Sequence, residues 1–395
     1  MGWERYQSQL QEIDSRGHTR YLKEIQSPTG RVLIHQGQEY LNFSSNNYLG
    51  LAQDKRVGAA FIRGIEEYGV GSGAARLING SLSPFHELEK ILAQFKGTES
   101  ALIFNSGYQA NVGILGCLLG EGDIYFSDEL NHASIIDGLR LSKAKKVIYP
   151  HGDVEELRQQ IRKQKLISEK AKLMVVTESV FSMDGDLCPL KELLDLCVEE
   201  DVTLYLDEAH ATGVFGDSGA GLAEDYREHP ACSSHLIQMG TLGKALGCFG
   251  AYVAGPQVLI DYLTNRARTF IFATALPPGV ATAVLEALKV LKEQSYRRET
   301  LWQRMELFEM ELKQAFPKIE LVVRSPIIPL IVGEEGKTSA LSEGLKSRGY
   351  WVNGIRPPTV PEGTSRLRIT LMATHSEEDI RGLVKVLKEE VQGLT

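Results

Sequence analysis

The sequence predicts an α/β fold: a large domain built on a mainly parallel sheet covered on both faces, followed by a smaller α+β domain. Three observations carry this. Short apolar runs alternate with helical stretches from about residue 85 to 255. Polar residues stand directly after several of those runs. Two long helical stretches then lead to isolated strand-like runs and a closing helix. Alternating short strands and helices give parallel pairing, because each helix returns the chain across a sheet face. The expected organisation is an N-terminal segment over 1–45, a large domain over 46–285 and a small C-terminal domain over 286–395.

In chain order, Trp3 to Lys23 can form a helix, and Arg31–Ile34 and Tyr40–Phe43 read as short strands around a turn at Gly37. Phe85–Phe95 predicts a helix with Ser83 as N-cap, Pro84 in the first turn and Gly97 as C-cap. The apolar runs Ala101–Phe104, Asp123–Asp128, Lys146–Tyr149, Leu173–Thr177, Thr203–Asp207 and Leu236–Gly240 are the predicted strands. Helices over Val154–Lys165 and Leu190–Glu200 separate some of them. Pro277-Pro278 opens a helix over Val280–Glu293, and Leu301–Phe316 reads as the next. Strand-like text follows at Ile319–Val323, Pro329–Val332 and Leu367–Leu371, and Glu377–Val391 closes the chain as a helix.

Composition excludes several classes. The chain has 395 residues, 43% hydrophobic and 24% charged, an ordinary soluble balance. Its net charge of −8 makes it a poor binder of nucleic acid or anionic membrane. The five cysteines Cys117, Cys188, Cys197, Cys232 and Cys248 form no C-x-x-C pair, and an odd number suits reduced thiols. The first residues carry no apolar signal core, and no run approaches the ~18 apolar residues of a membrane span. A cytoplasmic protein is expected. No His/Cys cluster has zinc-like spacing, so no metal is predicted.

In open parallel sheets, ligands sit beyond the carboxyl ends of the strands. Four such ends carry chemistry: Asn105-Ser106-Gly107-Tyr108, Glu178-Ser179, Asp207-Glu-Ala-His210 and Thr241-Leu-Gly-Lys244. This set matches the needs of pyridoxal 5′-phosphate. A lysine amine links to its aldehyde carbon, and an aspartate pairs with its ring nitrogen and keeps the ring an electron sink. Hydroxyls and N–H groups at a helix start hold the phosphate. Taken singly, Asp207 and Lys244 are ordinary surface charges; their order and placement after strands give them meaning.

Specific motifs sharpen this. Thr241-Leu-Gly-Lys244-Ala-Leu-Gly, Asn131-His132-Ala-Ser-Ile-Ile-Asp, Asp207-Glu-Ala-His210-Ala-Thr-Gly, Phe43-Ser-Ser-Asn46-Asn-Tyr-Leu-Gly and Thr177-Glu-Ser-Val-Phe-Ser182-Met-Asp-Gly-Asp resemble the α-oxoamine synthase family of pyridoxal-phosphate enzymes. The likeness runs from about residue 20 to the C-terminus. It implies a type I aminotransferase-like fold and a homodimer with its active site at the interface. By this resemblance Lys244 is the cofactor-linked lysine and proton-transferring base, Asp207 pairs with the ring nitrogen, His210 contacts the ring oxygen O3′ and His132 stacks on the ring. Ser106, Gly107 and Tyr108 lie by the phosphate, and Ser182 and Thr241 are further cofactor contacts. Thr274 is a phosphate ligand lent to the neighbouring subunit.

The segment Ile355-Arg-Pro-Pro-Thr359-Val-Pro…Arg368 is similar to the branch that joins L-alanine to pimeloyl-CoA in biotin biosynthesis, and less like the branch that joins glycine to acetyl-CoA. The resemblance implies that Arg368 clamps the amino-acid carboxylate with help from Asn46, a role that suits the guanidinium fork. It also implies that Arg20 and Thr359 touch the acyl substrate; an exposed helix charge is an equal reading of Arg20. Three hypotheses stand: this synthase, a sister enzyme with another amino acid or acyl donor, and a non-catalytic scaffold on the same fold. Retention of Lys244, Asp207, His210 and Arg368 argues against the last. Gly247-Cys248-Phe249 and the insertion-like Tyr226–Ser234 depart from relatives and affect loop geometry only.

Other motifs fail on context. Asp207-Glu-Ala-His210 spells a helicase box, which needs an upstream phosphate loop. The only Gly-Lys-Thr is Gly336-Lys337-Thr338, which lies downstream and has Ile331 where the first glycine belongs. Gly216-Asp-Ser218-Gly resembles a serine-protease nucleophile, but the α/β pattern opposes that fold, and a turn is expected. Gly69-Val-Gly71-Ser-Gly73 is read as a tight loop near the active site, not a dinucleotide site.

Overall fold

A computed structural model describes residues 2–393. The N-terminal part holds α1 (Glu4–Ser15), β1 (Val32–His35), β2 (Gln38–Asn42) and α2 (Lys55–Tyr68). Next come α3 (Ser83–Lys96), β3 (Ser100–Phe104), α4 (Gly107–Leu118), β4 (Ile124–Asp128), α5 (Ala133–Leu141), β5 (Lys145–Tyr149), α6 (Val154–Ile167) and β6 (Leu173–Glu178). The alternation continues with α7 (Leu190–Glu199), β7 (Thr203–Asp207), α8 (Pro230–Ser234), β8 (Leu236–Thr241), β9 (Ala251–Gly255), α9 (Gln257–Arg266) and α10 (Arg268–Ile271). The remainder is α11 (Pro278–Glu293), α12 (Tyr296–Ala315), β10 (Ile327–Gly333), α13 (Glu335–Ser347), β11 (Tyr350–Trp351), β12 (Asn353–Ile355), β13 (Ser365–Thr370) and α14 (Glu377–Gly393).

The large sheet has the order β3-β9-β8-β7-β6-β4-β5. Strands β8, β7, β6, β4 and β5 run parallel, and β9 runs against both of its neighbours, β3 and β8. The reason is length: the 242–250 loop is too short for a crossover, so β9 must reverse beside β8. This strand is absent from the sequence-based prediction.

The strands are apolar throughout because both faces are covered. Tyr125, Met174, Val176 and Tyr205 pack with α4 and α5 on one face. Ile124, Phe126, Val175, Leu204 and Leu206 pack with α6 and α7 on the other. A third cluster runs from Phe43 and Tyr48 through α11 to α12, β13 and α14.

The antiparallel sheet β10-β13-β12 places Arg368 on its central strand, and β11 adds in parallel to the β1–β2 hairpin. Thus the N-terminal segment is bound to sequence some 300 residues away. Arg31 reinforces the link by donating to both carboxylate oxygens of Asp379 at 2.5 and 2.6 Å.

Several sequence expectations need correction. The first helix stops at Ser15, where Gly17 takes a left-handed φ of 68°, so Trp3–Lys23 is not one helix. Ser83 is the first residue of α3 and not its cap; Leu82 holds the cap position without a side-chain bond. Ile319–Val323 is not a strand, since its alternating apolar side chains pack on the core but its backbone has no partner strand. Gly336-Lys337-Thr338 lies in the first turn of α13, with the Thr338 hydroxyl donating to the Glu334 carbonyl at 2.8 Å. Among the described residues no helix is long and apolar enough to cross a membrane, and all five cysteines are free thiols.

Candidate active site

Parallel register brings the predicted strand ends together. Glu178 lies opposite Asp207, and Asp207 opposite Met239, two residues before Thr241. Asp207 is 5% exposed. Its Oδ2 accepts from Asn111 Nδ2 at 2.9 Å, and its Oδ1 accepts from the Ala209 N–H at 2.9 Å. Asn111 also donates to Ser134 Oγ at 2.9 Å and accepts from the Tyr205 hydroxyl at 2.7 Å. Ser134 in turn lies 2.8 Å from His132 Nδ1. Hence Asp207 and His132, far apart in sequence, share one hydrogen-bonded frame.

His132 caps α5, and its own N–H donates to Glu178 Oε1 at 2.6 Å. Glu178 is buried, and that burial, with Asp207 nearby, pushes its carboxyl well above the usual range. His210 is buried too, with Nδ1 2.6 Å from the Tyr48 hydroxyl. Burial first, then the charges of Lys244 and Arg368, push its imidazole well below its ordinary pKa, so it is neutral.

Lys244 follows β8 in the reversing loop, and its ammonium makes no ion pair or hydrogen bond among the described residues. Burial lowers its pKa to about 8, against the opposing pull of Asp207 and Glu178.

A helix N-terminus of the kind that suits a phosphate lies at the start of α4. Ser106 caps the helix by accepting from the Gln109 N–H at 3.2 Å. This leaves the first N–H groups of the helix unbonded within it. A Cβ on Gly107 would stand 2.7 Å from Thr241 Cγ2, so only glycine lets this turn approach Thr241 so closely. Thr241 Oγ1 donates to the Ala209 carbonyl at 3.3 Å. Tyr108 is half exposed and donates its hydroxyl to Asp137. Thr274 is exposed, and its carbonyl accepts from Asn105 Nδ2 at 2.8 Å beside this helix start.

A buried guanidinium reaches the loop after β6 from β13. Arg368 is buried; its Nε donates to the Ser182 carbonyl at 2.7 Å, and both terminal nitrogens donate to Asn46 Oδ1 at 3.3 Å. The predicted Asn46, Ser182 and Arg368 therefore meet. Among the described residues Arg368 has no carboxylate partner, whereas its neighbour Arg366 pairs with Asp184. Such a guanidinium is suited to a substrate carboxylate. Arg20 and Thr359 also meet, by a long 3.4 Å bond from Arg20 Nη2 to Thr359 Oγ1, but at the exposed surface.

Sequence reasoning did not give roles to Asn111, Glu178 or Tyr48. Asn111 has a visible signal, a polar residue on the buried face of an apolar helix. Glu178 ends a strand, and Tyr48 sits inside a quoted motif, yet neither local pattern says what it touches.

The donor set fits pyridoxal 5′-phosphate: an unpaired lysine of lowered pKa, a buried aspartate held by neutral donors, and a glycine cradle at a helix N-terminus. The sequence matches the aminotransferase class I and II family over residues 38–387. It is 46% identical to an 8-amino-7-oxononanoate synthase of Anaeromyxobacter dehalogenans, covering 96% of this chain and 94% of that one. It is 44% identical to that of Geobacter sulfurreducens, covering 96% of each. Among solved structures, a Sphingomonas wittichii serine palmitoyltransferase superposes with a TM-score of 0.91 at 29% identity, covering 99% of this chain and 97% of that one. An 8-amino-7-oxononanoate synthase from Francisella tularensis gives 0.76 at 29% identity, covering 90% and 98%. The chain belongs to the aminotransferase class I and II family, among its pyridoxal-phosphate-dependent α-oxoamine synthases.

Proposed function

We propose that this protein condenses L-alanine with pimeloyl-CoA, or a pimeloyl-carrier protein, to give 8-amino-7-oxononanoate, CoA and CO2, acting as a cytoplasmic homodimer in biotin biosynthesis. The observation that carries the reading is that, among the described residues, buried Arg368 has no carboxylate partner and Lys244, of lowered pKa, makes no ion pair. The relatives' shared name gives the product, 8-amino-7-oxononanoate.

The chain's own groups divide the work. Arg368 and Asn46 hold the alanine carboxylate. Lys244, once free, takes the Cα proton; with a pKa of about 8, roughly a tenth of it is neutral at pH 7, against roughly 0.03% for an ordinary lysine. When bound, pyridoxal 5′-phosphate supplies the electron sink for Cα–H and C–C cleavage. Asp207 would pair with the ring nitrogen and keep it protonated, and neutral His210 would donate toward the ring oxygen. His132 would stack on the ring and polarise the thioester carbonyl. Ser106 to Tyr108, with Thr241, would hold the phosphate, Ser182 would contact the cofactor, and Thr274 would be lent to the phosphate of the neighbouring subunit. Arg20 and Thr359 meet the acyl chain.

Holoprotein mixed with L-alanine and pimeloyl-CoA tests this by mass spectrometry. The expected result is 8-amino-7-oxononanoate formed one-for-one with free CoA. Absence of that product with active cofactor uptake rejects the substrate assignment.

A further inference from the structure

Tyr48 is fully buried, and the reaction just described leaves it without a role. Its hydroxyl oxygen lies 2.6 Å from His210 Nδ1 and 3.4 Å from Asn46 Oδ1. A phenol has one proton to donate. The shorter contact is a strong hydrogen bond, and the longer is at the edge of bonding distance. Asn46 Oδ1 already accepts from two nitrogens of Arg368, so it is the less available acceptor.

We propose that Tyr48 is a positioning residue: its hydroxyl donates to Nδ1 of His210 and so fixes the imidazole proton on Nε2. The competing arrangement puts the proton on Nδ1, turns the phenol proton toward the distant Asn46 oxygen, and leaves Nε2 a bare acceptor. His210 is hydrogen-bonded through Nδ1 alone among the described residues, so Nε2 is the nitrogen left for a ligand. An Nε2–H suits an oxygen acceptor such as the cofactor's phenolic oxygen, whereas a bare Nε2 would repel it. This last step rests on the proposed cofactor role of His210. The imidazole stays neutral among Lys244, Arg368, His132 and Tyr48, the groups around it, because its site is buried and already cationic. The tautomer is then set by whether the Tyr48 hydroxyl gives its proton to Nδ1, the nearer acceptor, or to Asn46.

The consequence is a continuous line: Arg368 to Asn46, Tyr48 near both, and Tyr48 to His210. The group that clamps the substrate carboxylate and the group that faces the cofactor oxygen are held by one short segment, residues 46–48.

The test is nitrogen-15 NMR of the apoprotein labelled at histidine, with His210 assigned from the signal lost in His210→Gln. The expected wild-type spectrum shows Nε2 protonated and Nδ1 bare. In Tyr48→Phe the Nδ1-protonated fraction should rise severalfold, with His132 signals unmoved. A wild-type proton on Nδ1, or a tautomer ratio unchanged in Tyr48→Phe, overturns the proposal. Should Tyr48→Phe fail to fold, the wild-type tautomer alone decides. Uptake of pyridoxal phosphate, read separately by visible absorbance, tests the proposed function: its failure leaves the tautomer result standing, and the reverse also holds.

Discussion

Among the described residues Lys244 has no carboxylate partner, and that isolation is measurable. Only the neutral amine attacks the cofactor's aldehyde. With its pKa lowered to about 8 by burial, the rate at which apoprotein captures pyridoxal phosphate should climb about tenfold per pH unit below 8 and level off above it. A rate still climbing tenfold per unit near pH 9.5 would mean an ordinary lysine. Asp207 is tested differently. Asp207→Asn should retain much cofactor uptake, because its one side-chain oxygen can still accept from the Ala209 N–H, although the Asn111 bond to the second oxygen is lost. Its kcat should fall on the order of 10²–10³-fold, since a neutral amide cannot hold the ring nitrogen protonated. Near-wild-type turnover would remove Asp207 from this role. Their positions near strand ends were legible in sequence, because Asp207 closes one apolar run and Lys244 stands three residues beyond the end of another. Asn111 and Tyr48 were not, because their significance is a contact with Asp207 or His210 that only folding creates.

At the scale of elements, the loop after β6 depends on a histidine outside the site. His151 sits between Asp128 at the end of β4, 3.0 Å away, and Asp186 in the loop, 2.7 Å away, with its ring edge-on to Phe181. The same loop supplies the Ser182 carbonyl to Arg368 and Asp184 to Arg366. The bonds to Asp128 and then Asp186 raise the His151 pKa to about 10. A raised folded-state pKa stabilises fully below the unfolded value of about 6.5, and the benefit fades as pH rises toward 10. His151→Gln should therefore lower Tm clearly at pH 6 and much less at pH 10; an equal loss at both would show that packing on Phe181 dominates. Element prediction went as far as local chemistry allows. Gly97 ends α3 in a left-handed conformation as expected. The misplaced strand at Ile319–Val323 shows that alternation reports burial, whereas a strand also needs a partner.

For the whole molecule, the sheet order and the meeting of β13 with the strand ends follow from long-range pairing that no window of sequence displays. The parallel alternation was readable; the reversal of β9, which creates the Lys244 loop, was not. Nor was the joining of the β1–β2 hairpin to β11, since their registry is fixed by backbone pairing and not by pattern. The measurement that tests the account most directly is kcat/KM for two substrate pairs on one preparation: L-alanine with pimeloyl-CoA, and glycine with acetyl-CoA. One methyl in a pocket is worth only about 1–3 kcal/mol, so the amino-acid preference alone should be modest. The acyl preference should add to it, because a short acetyl group leaves polar acyl contacts unpaired. The account predicts a strong preference for L-alanine with pimeloyl-CoA; higher kcat/KM for glycine with acetyl-CoA would contradict it.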